Sequence, residues 1–212
     1  MTRPTVAVID YGIGNLHSAQ KSLETCGADA HLTADPEVIG SADGVVLPGV
    51  GAFGACMEAL RSRDLEQPTL DAVASGRPFL GICVGMQMLF TSSQESPDVS
   101  GLDVIPGVVE WIPRTGDIKI PQMQWNRLDM VAGSDGAIDP LLSGLGDEPW
   151  LYFVHSLHGV PDDASMVTAT VEYGVTVNAA FRNDNVFAAQ FHPEKSSRPG
   201  LALLTNFVRS CG

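Results

Sequence analysis

Cys83 stands between two glycines in the stretch P-F-L-G-I-C-V-G-M-Q-M-L, residues 78–89. This G-x-C-x-G spacing is the cysteine form of a nucleophile elbow, a sharp turn from strand to helix that lifts the reactive side chain out of the sheet. The flanking glycines are needed because neighbouring chain approaches too closely for a Cβ, and because the nucleophile's backbone is strained. The start of a helix beside the sulfur favours thiolate. A thiol that attacks a carbonyl also needs a base and a group to orient that base. Both occur together late in the chain, where V-F-A-A-Q-F runs into His192-Pro193-Glu194. Pro193 stiffens the segment, so imidazole and carboxylate leave the strand end in a fixed relation. A lone cysteine is more often an inert small hydrophobe, and a lone histidine a surface or core residue. Their joint occurrence, each at a strand end, points to acyl chemistry with Cys83 as nucleophile, His192 as proton shuttle and Glu194 as orienting acid.

The surrounding pattern supplies a scaffold for such a site. Residues 5–9 form a β-rich apolar strand, followed by D-Y-G-I-G-N and a helix with Leu16, Ala19, Leu23 and Cys26 on one face. The G-x-G there lacks the third glycine of a dinucleotide loop, so a tight strand-helix turn is the better reading. Further strands are expected at 28–32 and 44–47, a glycine-rich loop at 48–54, helices at 53–62 and 65–75, the elbow strand at 79–82 and a helix over 85–90. Alternation of this kind predicts an α/β fold with a mostly parallel, doubly wound sheet, whose sites lie beyond the carboxyl ends of the strands. After Ser92 come short β-rich pieces at 104–112, 123–130, 151–154, 166–172, 175–181 and 186–190. They are expected to extend the sheet in mixed or antiparallel fashion. A last helix over 200–208 is expected to bury Leu201, Leu204 and Phe207 or Val208. The absence of repeats and low-complexity linkers predicts one domain over residues 1–212.

Composition narrows the function. A chain of 212 residues with 44% hydrophobic and 17% charged residues can bury a core without staples. A net charge of −13 argues against a nucleic-acid groove or adhesion to an anionic membrane. The four cysteines have neither C-x-x-C pairing nor zinc spacing, which predicts reduced thiols in the cytoplasm. The opening M-T-R-P-T-V-A-V-I-D runs straight into a strand and does not read as a signal peptide, and no apolar run approaches transmembrane length. His155 and His158 form H-x-x-H, but on a single strand that spacing sends them to opposite faces, so no metal site is expected.

G-I-C-V-G-M-Q with H-P-E resembles the class I glutamine amidotransferases. Further motifs are D-Y-G-I-G-N at 10–15, L-P-G-V-G-A-F at 47–53, K-I-P-Q-M-Q-W-N at 119–126, Y-F-V-H-S at 152–156 and Q-F-H-P-E-K-S at 190–196. This set is similar to the branch of that family that serves imidazole glycerol phosphate synthase in histidine biosynthesis. The resemblance spans residues 6 to about 207. It implies that Cys83 forms a glutamyl thioester and releases ammonia, with His192 and Glu194 completing a triad and with no cofactor. It further implies an oxyanion hole from amides at Val84 and in the Gly49-Val50-Gly51 loop, and glutamine binding at Gln87 and Glu95. The ammonia would pass to a separate (β/α)8-barrel cyclase subunit in a heterodimer, contacted by Asn15, Tyr152 and Lys195. Because Gly49 and Gly51 flank Val50, a peptide of that loop could rotate on partner binding and so gate the activity.

Three positions depart from the family pattern: Gln124 where glycine is usual, Leu157 where tyrosine is usual, and Val84 where leucine is common. Val84 is conservative, and the other two fall in segments expected near the partner. Two other readings keep the fold. One is a glutaminase for another acceptor, such as anthranilate or pyridoxal phosphate synthase; the 119–126 and 152–156 motifs argue against it. The other is a non-catalytic subunit, which an intact Cys83, His192 and Glu194 disfavours.

Overall fold

The computed structural model describes residues 3–116 and 118–212. In chain order the first half contains β1 (Thr5–Ile9), α1 (Leu16–Thr25), β2 (Asp29–Thr33), α2 (Pro36–Ser41), β3 (Gly44–Gly49), α3 (Phe53–Ser62), α4 (Glu66–Ala74), β4 (Phe79–Cys83) and α5 (Val84–Gln87). The second half contains β5 (Phe90–Ser93), β6 (Ile105–Trp111), β7 (Gln122–Arg127), β8 (Asp129–Met130), β9 (Trp150–His155), β10 (Leu157–Pro161), β11 (Val167–Glu172), β12 (Thr176–Asn183), β13 (Val186–Ala189) and α6 (Ser197–Ser210).

Eight strands form the main sheet in the order β2-β1-β3-β4-β13-β12-β11-β8. The first five are mutually parallel, and β12, β11 and β8 add in antiparallel fashion. This is the mostly parallel sheet with a mixed extension that the strand-helix alternation predicts. Strands β3, β4 and β13 are buried along their whole length, as expected of central strands covered on both faces. The chain steps outward from β1 to β2 and back across to β3. Right-handed crossovers therefore put α1 on one face of the sheet and α2 on the other. The point where the direction reverses, between β1 and β3, opens a crevice at their carboxyl ends. The elbow closes that crevice, because β4 pairs with β3 in a register that sets Gly49 opposite Cys83.

Two smaller sheets, β10-β6-β5 and β7-β9, stand beside the main one. They correct several expectations. Residues 85–90 do not form a full helix: α5 is one turn, and Phe90 enters β5 instead. There its ring meets Phe181 edge-to-face at 5.2 Å. The loop expected over 48–54 is also shorter, since β3 runs on through Gly49 and α3 begins at Phe53. A short helix, α2, appears where none was expected; the Asp35 side chain accepts from the Glu37 amide at 2.9 Å to cap it. In α6 the buried residues are Gly200, Leu203, Leu204, Phe207 and Val208, whereas Leu201 is 37% exposed. Among the described residues no helix is long and apolar enough to cross a membrane.

Candidate active site

Cys83 ends β4 with φ 55° and ψ −116°, a left-handed conformation rare for a residue with a side chain. Such strain persists only where the surroundings over-determine it. Here two backbones are in contact: a Cβ on Gly85 would overlap the Leu47 carbonyl oxygen, and one on Gly49 would lie 2.5 Å from the Gly85 nitrogen. Any larger residue at either position would push the end of β3 away from the elbow. Because α5 is only one turn, it brings no long helix dipole to the sulfur.

His192 follows β13, and its Nδ1 lies 2.8 Å from Glu194 Oε1, with both side chains almost fully buried. The one-turn helix Pro193–Lys195 fixes the imidazole and carboxylate in that relation. Asn15, at the start of α1, donates to the same Glu194 oxygen at 3.3 Å. His192 Nε2 forms no hydrogen bond of good geometry, but Cys83 is close enough to act on the ring's charge. Burial pulls the imidazole toward its neutral form; Cys83 and Glu194 together outweigh it and push its pKa up to about 9. At neutral pH the site thus holds an imidazolium beside the sulfur, ready to give a proton to a leaving group.

A pocket of about 250 Å³ opens on this pair, lined by Val50, Gly51, Cys83, Gln87, Glu95 and His192 among others. Glu95 also accepts from the Phe53 amide at 2.6 Å, which ties it to the start of α3. The entry to the Val50–Ala52 loop is held by two side chains. Tyr11 donates to the Pro48 carbonyl at 2.7 Å, and the Cys56 thiol to the Val50 carbonyl at 3.3 Å. Burial raises the pKa of both groups, so they remain protonated donors. Gly51 has φ 88° with open space around it, a backbone conformation that favours glycine.

The remaining expected residues divide into two groups. Lys195 Nζ sits 5.9 Å from the Tyr152 ring centroid, and that ring is 6.5 Å from His192, so these two belong to one patch at the rim of the site. Asn15, the third residue expected at the partner contact, reaches the Glu194 carboxylate from the start of α1. His155 and His158 do not share a strand: the first ends β9 and the second lies in β10. Among the described residues no group of three or more potential ligands could hold a metal ion.

Residues 7–211 match the family described as "Glutamine amidotransferase class-I". The "Imidazole glycerol phosphate synthase subunit HisH" of Salinibacter ruber is 48% identical over 206 residues, covering 95% of this chain and 92% of that protein. The protein of the same name from Nostoc punctiforme is 49% identical, covering 97% and 95%. The chain belongs to the class I glutamine amidotransferase family. A solved structure described as a glutamine amidotransferase superposes with a TM-score of 0.74 at 20% identity, covering 98% of each chain. The structure of PurLQS from Thermotoga maritima gives 0.70 at 19%, covering 98% of this chain and 99% of that one. At such identities these two speak for the fold alone.

In this amidotransferase the pocket has walls that motif reading did not supply. Pro121, Val154, His155, Ser156 and Leu157 line it from the two-stranded sheet and the β9–β10 bend. Leu157, which replaces the family's usual tyrosine, is thus one of the residues that line the pocket. Its carbonyl lies 2.7 Å from His155 Nδ1, while His155 Nε2 is 2.9 Å from Gln122 Oε1. Burial lowers the His155 pKa to about 4, so the ring is neutral and structural: Nδ1 donates to the Leu157 carbonyl, and Nε2 accepts from the Gln122 side-chain amide turned to present its otherwise unpartnered amino group. Gln124 is exposed on β7, opposite Phe153. Gln190 was also missed as a site residue. A glutamine closing an otherwise apolar, wholly buried strand was the available signal.

Proposed function

We propose that the whole chain is one glutaminase domain, the ammonia-producing subunit of an imidazole glycerol phosphate synthase. The observation that carries this reading is the strained Cys83 beside the His192–Glu194 pair at the edge of a small pocket, in a chain so similar to HisH proteins. The Cys83 thiolate attacks the side-chain amide carbon of glutamine, forming a C–S bond while the carbonyl electron pair moves to oxygen. Amides of Val84 and the Gly49-Val50-Gly51 segment receive that charge; each donor is worth about 10²–10³-fold in rate. The intermediate collapses by breaking the C–N bond, and His192 gives its proton to the departing nitrogen, which leaves as ammonia. His192 then takes a proton from water, the hydroxide attacks the thioester, and glutamate departs as the C–S bond breaks. Glu194 holds the imidazole throughout. Gln87 and Glu95 present acceptors to the amino-acid end of glutamine, and no cofactor is needed.

The acceptor site is assigned to a separate barrel cyclase subunit in a heterodimer. Support comes from the outward face of β7 and β9, where paired positions share one side of the sheet. Met123, Trp125 and Trp150 are 61%, 42% and 51% exposed there. Large apolar side chains clustered in this way mark an interaction surface, and Tyr152 and Lys195 join it to the active-site rim. The absence of any disulfide among the four cysteines supports a cytoplasmic setting. The test is co-expression of the chain with a barrel cyclase partner, followed by an assay of glutamine-dependent formation of imidazole glycerol phosphate. Product formed from glutamine supports the reading. Failure to bind that barrel, with co-purification of an anthranilate or pyridoxal phosphate synthase component instead, overturns the choice of acceptor.

A further inference from the structure

Gln190 is fully buried, one residue beyond the end of β13, where a side-chain amide must find partners or incur a heavy desolvation cost. Its two polar atoms have different neighbours. Oε1 accepts from Gln87 Nε2 at 3.0 Å, and Nε2 donates to Cys83 Sγ at 3.8 Å. The first bond decides the second, because an acceptor end held by Gln87 leaves the amino end facing the sulfur. Reversing the amide would set two amino groups against each other. Gln87, in turn, lines the pocket. With its Nε2 engaged by Gln190, the group it can offer to a ligand is its carbonyl oxygen.

We propose that Gln190 is a second polar partner of the nucleophile, donating to the Cys83 thiolate, and that Gln87 is the positioning residue that aims it. The sulfur is then held from two sides, by the imidazolium of His192 and by a neutral amide that cannot deprotonate. The amide would keep stabilising the thiolate when His192 gives up its proton, and again as the sulfur departs from the thioester. Gln87 also joins the substrate pocket to the sulfur through two hydrogen bonds. The ionisable groups around Cys83 are His192 and Glu194 after β13, Tyr11 after β1, Cys56 on α3, and Glu95 and His155 in the pocket walls. Tyr11 and Cys56 stay protonated and His155 neutral, so the charges near the sulfur are those of His192, Glu194 and Glu95. Gln190 is the uncharged donor among them.

The inference rests on Cys83 being the nucleophile, and its test separates the two ideas because it needs no glutamine. The pH dependence of iodoacetamide alkylation at Cys83 is followed by peptide mass mapping in the folded protein and in Gln190→Met. Thermal melts run beside it. Losing a hydrogen bond to a charged group should move the alkylation midpoint upward by about one pH unit. Gln87→Met should move it the same way by less, since the amide loses only its anchor. A Gln190 that merely braces β13 against α5 would lower the melting temperature and leave the alkylation midpoint in place; that result overturns the proposal. If Gln190→Met does not fold, an unchanged midpoint in Gln87→Met overturns it equally. A wild-type Cys83 no more reactive than the half-buried Cys26 and Cys211 would overturn both the proposal and the nucleophile assignment.

Discussion

At the scale of single residues, the site rests on a division of labour between His192 and Glu194. In the proposed mechanism His192 moves the proton, whereas Glu194 only orients and stabilises the ring, and Asn15 donates to that carboxylate. His192→Asn should therefore remove nearly all glutamate release, on the order of 10⁴-fold. Glu194→Gln should retain at least about tenfold more activity than that, because an amide and Asn15 still confine the ring. Steady-state assays of the two variants check this, and equal, negligible losses would contradict the roles. Cys83, His192 and Glu194 were legible in the sequence because elbow and H-P-E are local patterns. The contacts of Asn15 with Glu194 and of Gln190 with Cys83 were not, because 179 and 107 residues separate the partners. Only the folded sheet edge brings such positions together.

At the scale of elements, the proposed mechanism depends most on the short loop after β3. Tyr11 and Cys56 pin the carbonyls of Pro48 and Val50, so the peptide between Gly49 and Val50 lies between two pinned peptides and is held by neither bond. Gly51 sits at φ 88°, which proline, fixed near −65°, cannot adopt. Gly51→Pro should abolish partner-stimulated glutaminase activity while affecting glutamine affinity much less. Kinetics that separate kcat from KM in the complex measure this, and an unchanged kcat would remove the loop from the mechanism. His155 does a different job, clasping the β9–β10 bend to β7. The unfolded chain protonates His155 near pH 6.5, the folded protein only near about 4. Its contribution to stability is therefore full above pH 6.5 and is lost as pH falls toward 4, by about 3 kcal/mol. Thermal melts should show a shallower acid decline for His155→Leu than for the parent across that window; parallel declines would contradict it. Strands β1, β3 and β4 were legible because wholly apolar runs have few alternatives. Phe90 reads as helix in the sequence because a 3.6-residue pattern cannot reveal that Phe181 waits for its ring.

At the scale of the molecule, one sheet edge gathers the triad, the pocket and an apolar face that ends beside them. Replacing Trp125 with glutamate puts a charge in the middle of that face. The substitution should weaken association with the proposed barrel partner by about tenfold or more while leaving the fold intact. Lys195→Ala and Tyr152→Ala should lower transfer of ammonia to the acceptor more than they lower glutamate formation. Both activities unchanged at saturating partner would take these residues out of the coupling path. Neither the face nor its place beside the pocket was legible in the sequence, since it depends on β7 pairing with β9 and not with the main sheet. Every chemical step depends on Cys83 being the nucleophile. Glutamate release by the complex with its barrel partner, compared between the parent chain and Cys83→Ala, tests this most directly. A Cys83→Ala chain that still folds and still binds the barrel should turn over glutamine only at background level. Substantial turnover by that complex would contradict the assignment of Cys83.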